Sequence, residues 1–408
     1  MLGAHGGWLR SWVFTVYFVL QLAQGGSWCL FASLPDETKA WFPSITDADL
    51  SWQINANNIG QALATPLAAW LLQDAARGLR RTVLYAAALL VAQGALWCGA
   101  SALPGAVRAA ASGQQQQQGG SPGVVRVLLL AGAVAGGAST AFTQGAPSRF
   151  SAVWFPPRQR ARATGALVSA TYLGQSAAYA LCFGLISSGH GLVVALAGFL
   201  VAAVLLGLLV AARFPSRPAA GGGGAAGGGR GRGDVGAAGG AGGTGGAGAG
   251  NASSFVARVR SVASDRSCAA LLVVSSVACG FYTNWQAALP VLMERQGRPA
   301  HEGDVLGFAS GVTYGCGGLL AGALADRFFA RRLAKLLQLA LSACALSFLW
   351  VVVVLPPAWM EDHGFVAGAG NSSRAMVLCA VATTGLFAGI VVPVALELLA
   401  EISYPTRY

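Results

Sequence analysis

Tyr17, Gln21, Gln24 and Trp28 recur at three- and four-residue intervals, which sets two amides, an indole and a phenol on one face of a helix. Turned toward hydrocarbon, such groups would lose their hydrogen bonds to water with no replacement. The stripe must therefore face protein, where it either joins helices or lines a cavity. A second cluster, Gln53, Asn55, Asn57, Asn58 and Gln61, holds more amides than one helix contact uses, so part of it is expected to meet water. Tyr172, Gln175 and Tyr179 repeat the spacing. Tyr282, Asn284, Trp285 and Gln286 form a further group, where a broken or kinked helix would expose backbone to a solute. Together these residues suit the binding of a small organic molecule. An aromatic face attracts an organic cation by about 0.5–2 kcal/mol when desolvated, or stacks on a flat ring whose hydroxyls the amides read. The candidate binding residues are Trp28, Gln24, Gln21, Tyr282, Trp285, Asn58 and Tyr172.

The elements that must position them follow from composition. Of 408 residues, 55% are hydrophobic and 10% charged, against about 25% charged in a soluble domain. The charges separate ten apolar runs long enough to cross a bilayer as helices: 11–33, 51–72, 82–103, 124–146, 163–187, 192–214, 268–293, 305–324, 334–355 and 375–398. The fold class is all-α, a polytopic membrane protein, and the first run is too long for a signal peptide. Six spans fill residues 1–214 and four fill 267–408. Between them, 215–266 contains the Gly/Ala-rich tract 221–250, which cannot bury a core and is expected to be a disordered cytoplasmic linker. The run Gln114 to Gln118 is expected to be a tolerated insertion in an external connection.

The net charge of +11 does not imply a nucleic-acid partner. With the N-terminus in the cytoplasm, the clusters at Arg77–Arg81, Arg149–Arg162 and Arg327–Lys335 all fall inside. Lys39, Arg108, Arg126, Arg295, Arg298 and Arg374 fall outside, which is the positive-inside asymmetry. Of two glycosylation sequons, Asn251 and Asn371, that topology leaves only Asn371 outside. The eight cysteines lie in or beside the spans without metal-ligand spacing, and read as small buried residues. His5, His190, His301 and His363 sit at ends or in loops, so no intramembrane catalytic pair or metal cluster forms. No cofactor, metal or enzymatic activity is expected; the partners are a small-molecule substrate and the bilayer, and the protein is expected to be monomeric.

Each half repeats one feature at the end of its second span, an acid followed by a basic cluster: Asp74 with Arg77 and Arg80, and Asp326 with Arg327 and Arg331. Recurrence at matching positions is what internal repeats predict. An Asp at a helix end that accepts from nearby N-termini and pairs with Arg can hold the halves together on that side, a gate that opening would break.

The second copy, Gly322-Ala-Leu-Ala-Asp-Arg-Phe-Phe-Ala-Arg-Arg332, resembles the signature loop of the major facilitator superfamily; in the first, Trp70 replaces the expected Gly. Ala146-Pro-Ser-Arg-Phe-Ser-Ala-Val-Trp-Phe155, Arg160-Ala-Arg-Ala-Thr-Gly165 and Tyr172-Leu-Gly174 are similar to solute carrier family 49, which includes the feline leukaemia virus subgroup C receptors and the lysosomal disrupted in renal carcinoma protein 2. Gln24-Gly-Gly-Ser-Trp28 and Pro393 through Glu397, Glu401, Tyr404 and Pro405 extend the match. The resemblance implies two six-helix bundles around a central cavity. It implies choline, ethanolamine or haem as substrate in the receptor branch and pyridoxine in the lysosomal branch. Trp28 and Tyr282 match an aromatic pair thought to cage choline, and Trp285 matches a lysosomal-branch aromatic, so both substrate classes stay open. The family continues through two more spans, whereas this sequence ends at Tyr408, and the expectation is an incomplete C-terminal bundle. Spans one to six carry no mid-membrane acid or histidine, which favours facilitated diffusion. Glu397 and Glu401, one turn apart, stand either as structural partners of a loop Arg or as proton-coupling groups. A non-transporting receptor or scaffold is the reading from another class. The membrane is either the plasma membrane or that of a vacuole or lysosome.

Overall fold

The structure, a computed structural model, describes residues 2–31, 33–74, 77–103, 122–186, 191–215, 260, 264–329, 332–356 and 372–403. The Gln tract, the Gly/Ala-rich tract, Asn251, Asn371 and Arg331 lie outside the described residues, as do the side chains of Asp326 and Glu401. Twelve helices are present among the described residues: α1 Leu2–Cys29, α2 Pro35–Trp41, α3 Asp47–Leu71, α4 Gly78–Ser101, α5 Pro122–Gly145, α6 Pro147–Trp154, α7 Pro157–Ile186, α8 Gly191–Arg213, α9 Arg266–Arg295, α10 Ala300–Phe328, α11 Leu333–Val354 and α12 Arg374–Ser403.

The ten long helices cover the ten apolar runs one for one. Even the shortest, the 22 residues of α11, reaches about 33 Å at the α-helical rise, enough for the hydrocarbon core. Seven of the ten are also apolar enough by composition to cross a membrane. The other three, α1, α3 and α7, fall short because they carry buried amides, Gln21 and Gln24, Gln53 and Asn57, and Gln175. Leu63, Leu205, Leu208, Val277 and Leu346 stay exposed on the bundle's outside, as acyl chains require. Pro290 lies inside α9, which continues unbroken through it to Arg295.

Two short helices fell below the length that the apolar runs signal. Both α2 and α6 begin on a proline, whose fixed φ suits the first helical turn and whose missing N–H costs nothing there. α6 crosses the end of the bundle that carries the Arg-rich loops, hereafter the basic end. It buries Phe150 and Trp154, with Phe150 against Tyr17 at 5.1 Å between ring centroids. At the far end Thr46 and Asp49 form a reciprocal capping box on α3, and Arg126 of α5 pairs with Asp49 at 3.1 Å and donates to the Ser44 carbonyl at 2.8 Å.

Helices α1 and α3–α8 pack chiefly on one another, as do α9–α12, and the principal contact between the two groups is α7 against α10. Lipid gives helices no hydrophobic reason to associate, so close backbone approach must do it. Between α1 and α7 that approach is reciprocal: a Cβ on Gly25 would strike the Thr171 carbonyl, and one on Gly174 would strike the Leu22 carbonyl. Gly174→Ala should therefore lower the melting temperature of the purified protein, since overpacking of this kind costs about 1–3 kcal/mol. Gly198→Ala, on α8 with nothing within 4 Å, should not; equal melting curves for the two variants would contradict this packing.

Candidate functional site

A cavity of about 300 Å³ lies between the two groups of helices, at the lower end of the range for small-molecule sites. From the first group come Trp28 of α1, Asn58 and Gln61 of α3, Gln144 of α5, and Tyr172 and Gln175 of α7. From the second come Ser275, Ser276, Cys279 and Thr283 of α9, with an apolar wall of Val392, Ala395, Leu396 and Leu399 on α12. Among the described residues, none that lines the cavity is charged. The lining descends from Trp28 and Tyr172 to Gln144, Leu271 and Leu399 beside the basic end. At the far end Trp28, Cys29, Ala178 and Tyr179 pack together. Gln175 Oε1 and Ser275 Oγ, on two residues that line the cavity, are buried without a hydrogen-bond partner in the protein, so a small rotation of either side chain would let it accept from a bound donor.

The α1 stripe divides along its length. Gln21 donates to the Thr143 carbonyl at 2.9 Å and accepts from the Thr171 hydroxyl at 3.1 Å. Gln24 donates to the Gly136 carbonyl at 2.9 Å and to Thr140 Oγ1. Both are fully buried and do not line the cavity. They fix α1 against α5 and α7, and so place Trp28, whose indole N–H donates to the same Thr140 hydroxyl at 2.9 Å.

Beside the cavity three tyrosines stack across the two groups. Tyr172 lies over Tyr314 at 3.6 Å between centroids, and Tyr314 over Tyr282 at 4.8 Å. Tyr282 is fully buried, with its hydroxyl 2.8 Å from Ser310 Oγ. Its ring borders a smaller void shared with Cys279 rather than the space that Trp28 faces. Trp285 packs edge-on against Phe348 at 5.2 Å and does not line the cavity. Of the residues expected to bind solute, the structure brings Trp28, Asn58 and Tyr172 together at the cavity and sets Gln21, Gln24, Tyr282 and Trp285 behind it. Sequence reasoning missed Gln144, Ser275, Ser276 and Cys279. The four-residue spacing of Ser275, Cys279 and Thr283 was a legible signal, masked by reading Cys279 only as a small buried residue.

The profile of the Major Facilitator Superfamily matches residues 9–407. The chain belongs to the major facilitator superfamily. Its fold is similar to the xylose transporter XylE from E. coli in a partially occluded inward-open conformation, with a TM-score of 0.59 at 14% identity over 97% of this chain and 88% of that one. It is also similar to a bacterial homologue of the human lysosomal transporter Spinster in an inward-facing conformation, with a TM-score of 0.53 at 15% identity over 97% of this chain and 79% of that one. No curated protein sequence matches the chain. As a major facilitator protein it is a multi-pass integral membrane protein and a transporter; the superfamily's members bind small molecules and are not enzymes in general.

In this major facilitator chain Asp74 ends the turn before α4. One carboxylate oxygen accepts from the Arg77 backbone N–H at 3.1 Å, and the other pairs with Arg81 at 3.5 Å. Arg149 of α6 reaches the Asp74 carbonyl at 3.5 Å. Arg80 instead donates to the Ala211 carbonyl of α8 at 3.4 Å, and Arg327 lies over the Phe328 ring at 5.7 Å. Glu397 is half-buried near the basic end of α12.

This geometry separates positioning from lining. Gln24→Ala removes two buried hydrogen bonds from α1 to α5, a loss of about 1–3 kcal/mol, and should lower the melting temperature. Asn58→Ala, at the cavity wall, should leave it within a degree or two in a thermal-shift measurement on the same preparation.

Proposed function

We propose that this protein carries a small organic solute, a choline-like cation or a pyridoxine-like vitamin, across a membrane by alternating access. The observation that carries this is the uncharged cavity between the helix groups, where Trp28 and Tyr172 offer aromatic faces and Asn58, Gln61, Gln144 and Gln175 offer amides. An aromatic face binds an organic ammonium without a buried acid, and the same face with amides fits a flat hydroxylated ring. Tyr282 reaches such a solute only if the tyrosine stack rearranges, whereas Tyr172 already borders the cavity. An organic-anion or haem exporter is supported less well, because no Arg or Lys lines the space to meet a carboxylate. A non-transporting receptor or scaffold has no use for a polar cavity buried between two halves.

Among the described residues the lining is uncharged, which supports facilitated diffusion over coupling through Glu397 and Glu401. The basic end is cytoplasmic in this reading, with residues 215–266 as a linker on that side, and Asp74, Arg77, Arg80, Asp326, Arg327 and Arg331 close that end when the cavity opens to the other. The carrier works as a monomer in the plasma membrane or a vacuolar or lysosomal membrane.

Uptake of labelled choline and of labelled pyridoxine by cells lacking their own carriers tests the substrate class. Loss of uptake in Trp28→Ala and a rise in half-saturating concentration of about tenfold in Gln175→Ala, which removes one buried hydrogen bond worth about 1.5 kcal/mol, would support it. Wild-type protein correctly inserted yet moving neither solute would remove both substrates. Topology is tested on the same cells: Asn371→Gln should abolish the mobility shift given by glycosidase treatment, and Asn251→Gln should leave it.

A further inference from the structure

One acid at the far end forms no ion pair among the described residues. Asp304 lies in the second turn of α10 at 4% exposure, and its Oδ1 has no hydrogen-bond partner. Glu302, two residues earlier, pairs with Arg374 at 2.6 Å and Arg298 at 3.8 Å, so these two cations are already engaged. Among the described residues no cation forms an ion pair with Asp304.

Its position is the seam between the helix groups. Three residues along the same face, Gly307 lies directly beneath the ring of Tyr179 on α7. Gln286 of α9 ties the seam, donating to the Gly307 carbonyl at 3.2 Å and accepting at its own carbonyl from the Tyr179 hydroxyl at 3.4 Å. Among the described residues, the ionisable groups whose electrostatics couple to Asp304 are Tyr179 and Cys182 of α7, Cys29 of α1 and Glu37 of α2. None of these can carry positive charge. On α10 itself His301 is exposed to solvent and Glu302 is in its own pairs. Sequence reasoning passed over Asp304 because the eighth apolar run begins one residue later.

We propose that Asp304 is a proton-binding site that must be filled before the far end of the bundle can close. With that end open, water reaches the carboxyl and stabilises the carboxylate. Closing against Tyr179 removes the water and supplies no cation, and a buried unpaired charge is strongly unfavourable. The carboxylate therefore takes one proton from the extracytoplasmic water as the seam closes, forming an O–H bond, and returns it when the seam opens. Acid on that side favours the closed seam and alkali favours the open one. Asp304 is not part of the cavity lining, so this proton sets the gate without binding beside the solute.

The proposal rests on the alternating-access reading, but its test reads accessibility rather than uptake and stands apart from the choice of solute. Cys29 is buried beside Tyr179, the α7 residue that covers the seam. In the full chain with its other cysteines replaced by Ala, Cys29 is labelled from the far side by a membrane-impermeant maleimide across a mildly acidic to mildly alkaline range. Asp36→Cys, exposed at the same end, is the reference for the reagent's own pH dependence. Relative to that reference, labelling should rise with pH by up to about tenfold per unit, the limit for one linked proton. In Asp304→Asn the relative labelling should be flat, and in Asp304→Glu the slope should return. Parallel pH profiles at Cys29 and the reference in wild-type protein would overturn the proposal even if neither variant folds, as would an unchanged slope in Asp304→Asn.

Discussion

An amide inside a bilayer has only protein to bond to, and the hydrogen bonds from α1 to α5 fix the first helix for that reason. Thr140 receives both Gln24 and the indole of Trp28. The Thr143 carbonyl receives both Tyr17 and Gln21. Rotating α1 by one residue would break all four bonds and turn amides toward hydrocarbon, where no donor or acceptor waits. The orientation of Trp28 at the cavity is thus a consequence of contacts made one and two turns below it. Thr171, bonded to Gln21, passes the same constraint to α7.

α7 then meets α10 along its length. Ser169 donates to the Gly315 carbonyl at 3.0 Å, the tyrosine stack crosses next, and Tyr179 covers Gly307 beyond it. Glycines on α10 let the backbones approach where side chains on α7 supply the volume, the usual solution for helices that lipid does not push together. A contact built this way runs through the middle of the molecule while the cavity extends toward the basic end. In the alternating-access reading it is the element about which the two helix groups rock, and Asp304 sits at the margin that must part.

The ten long helices were legible because hydrocarbon thickness imposes a length that few other constraints mimic. The short helices α2 and α6 were not, since seven or eight residues at a bundle end show no long apolar run; only Pro35 and Pro147 hinted at helix starts. For the stripe on α1, spacing established a shared inward face but not its fate. Gln21, Gln24 and Trp28 all point inward, yet whether a neighbour fills the space before them depends on where α5 and α7 diverge, which is a tertiary fact. Ser275 and Cys279 illustrate the converse. Their spacing was plain, but small polar residues serve helix packing as readily as a cavity wall, and only the position of α9 distinguishes the two. Asp304 stood beside an apolar run like any interfacial acid until α7 was seen to cover it.

The lining has a further consequence for how tightly such a site can hold anything. Gln175 Oε1 and Ser275 Oγ find no protein partner, and their residues line the cavity. A solute that donates to them exchanges one hydrogen bond for another, so the net gain per contact is about 0.5–1.5 kcal/mol rather than the full strength of the bond. Aromatic contact with Trp28 and Tyr172 adds a term of similar size. A fixed counter-ion in the cavity would instead hold a charged solute through a low-dielectric attraction that rises steeply as the site closes. For a carrier that must release its load on the other side, several small exchanges without an ion pair keep the bound state shallow. The buried acid of this protein is therefore better placed where the structure has it, at the seam and away from the solute.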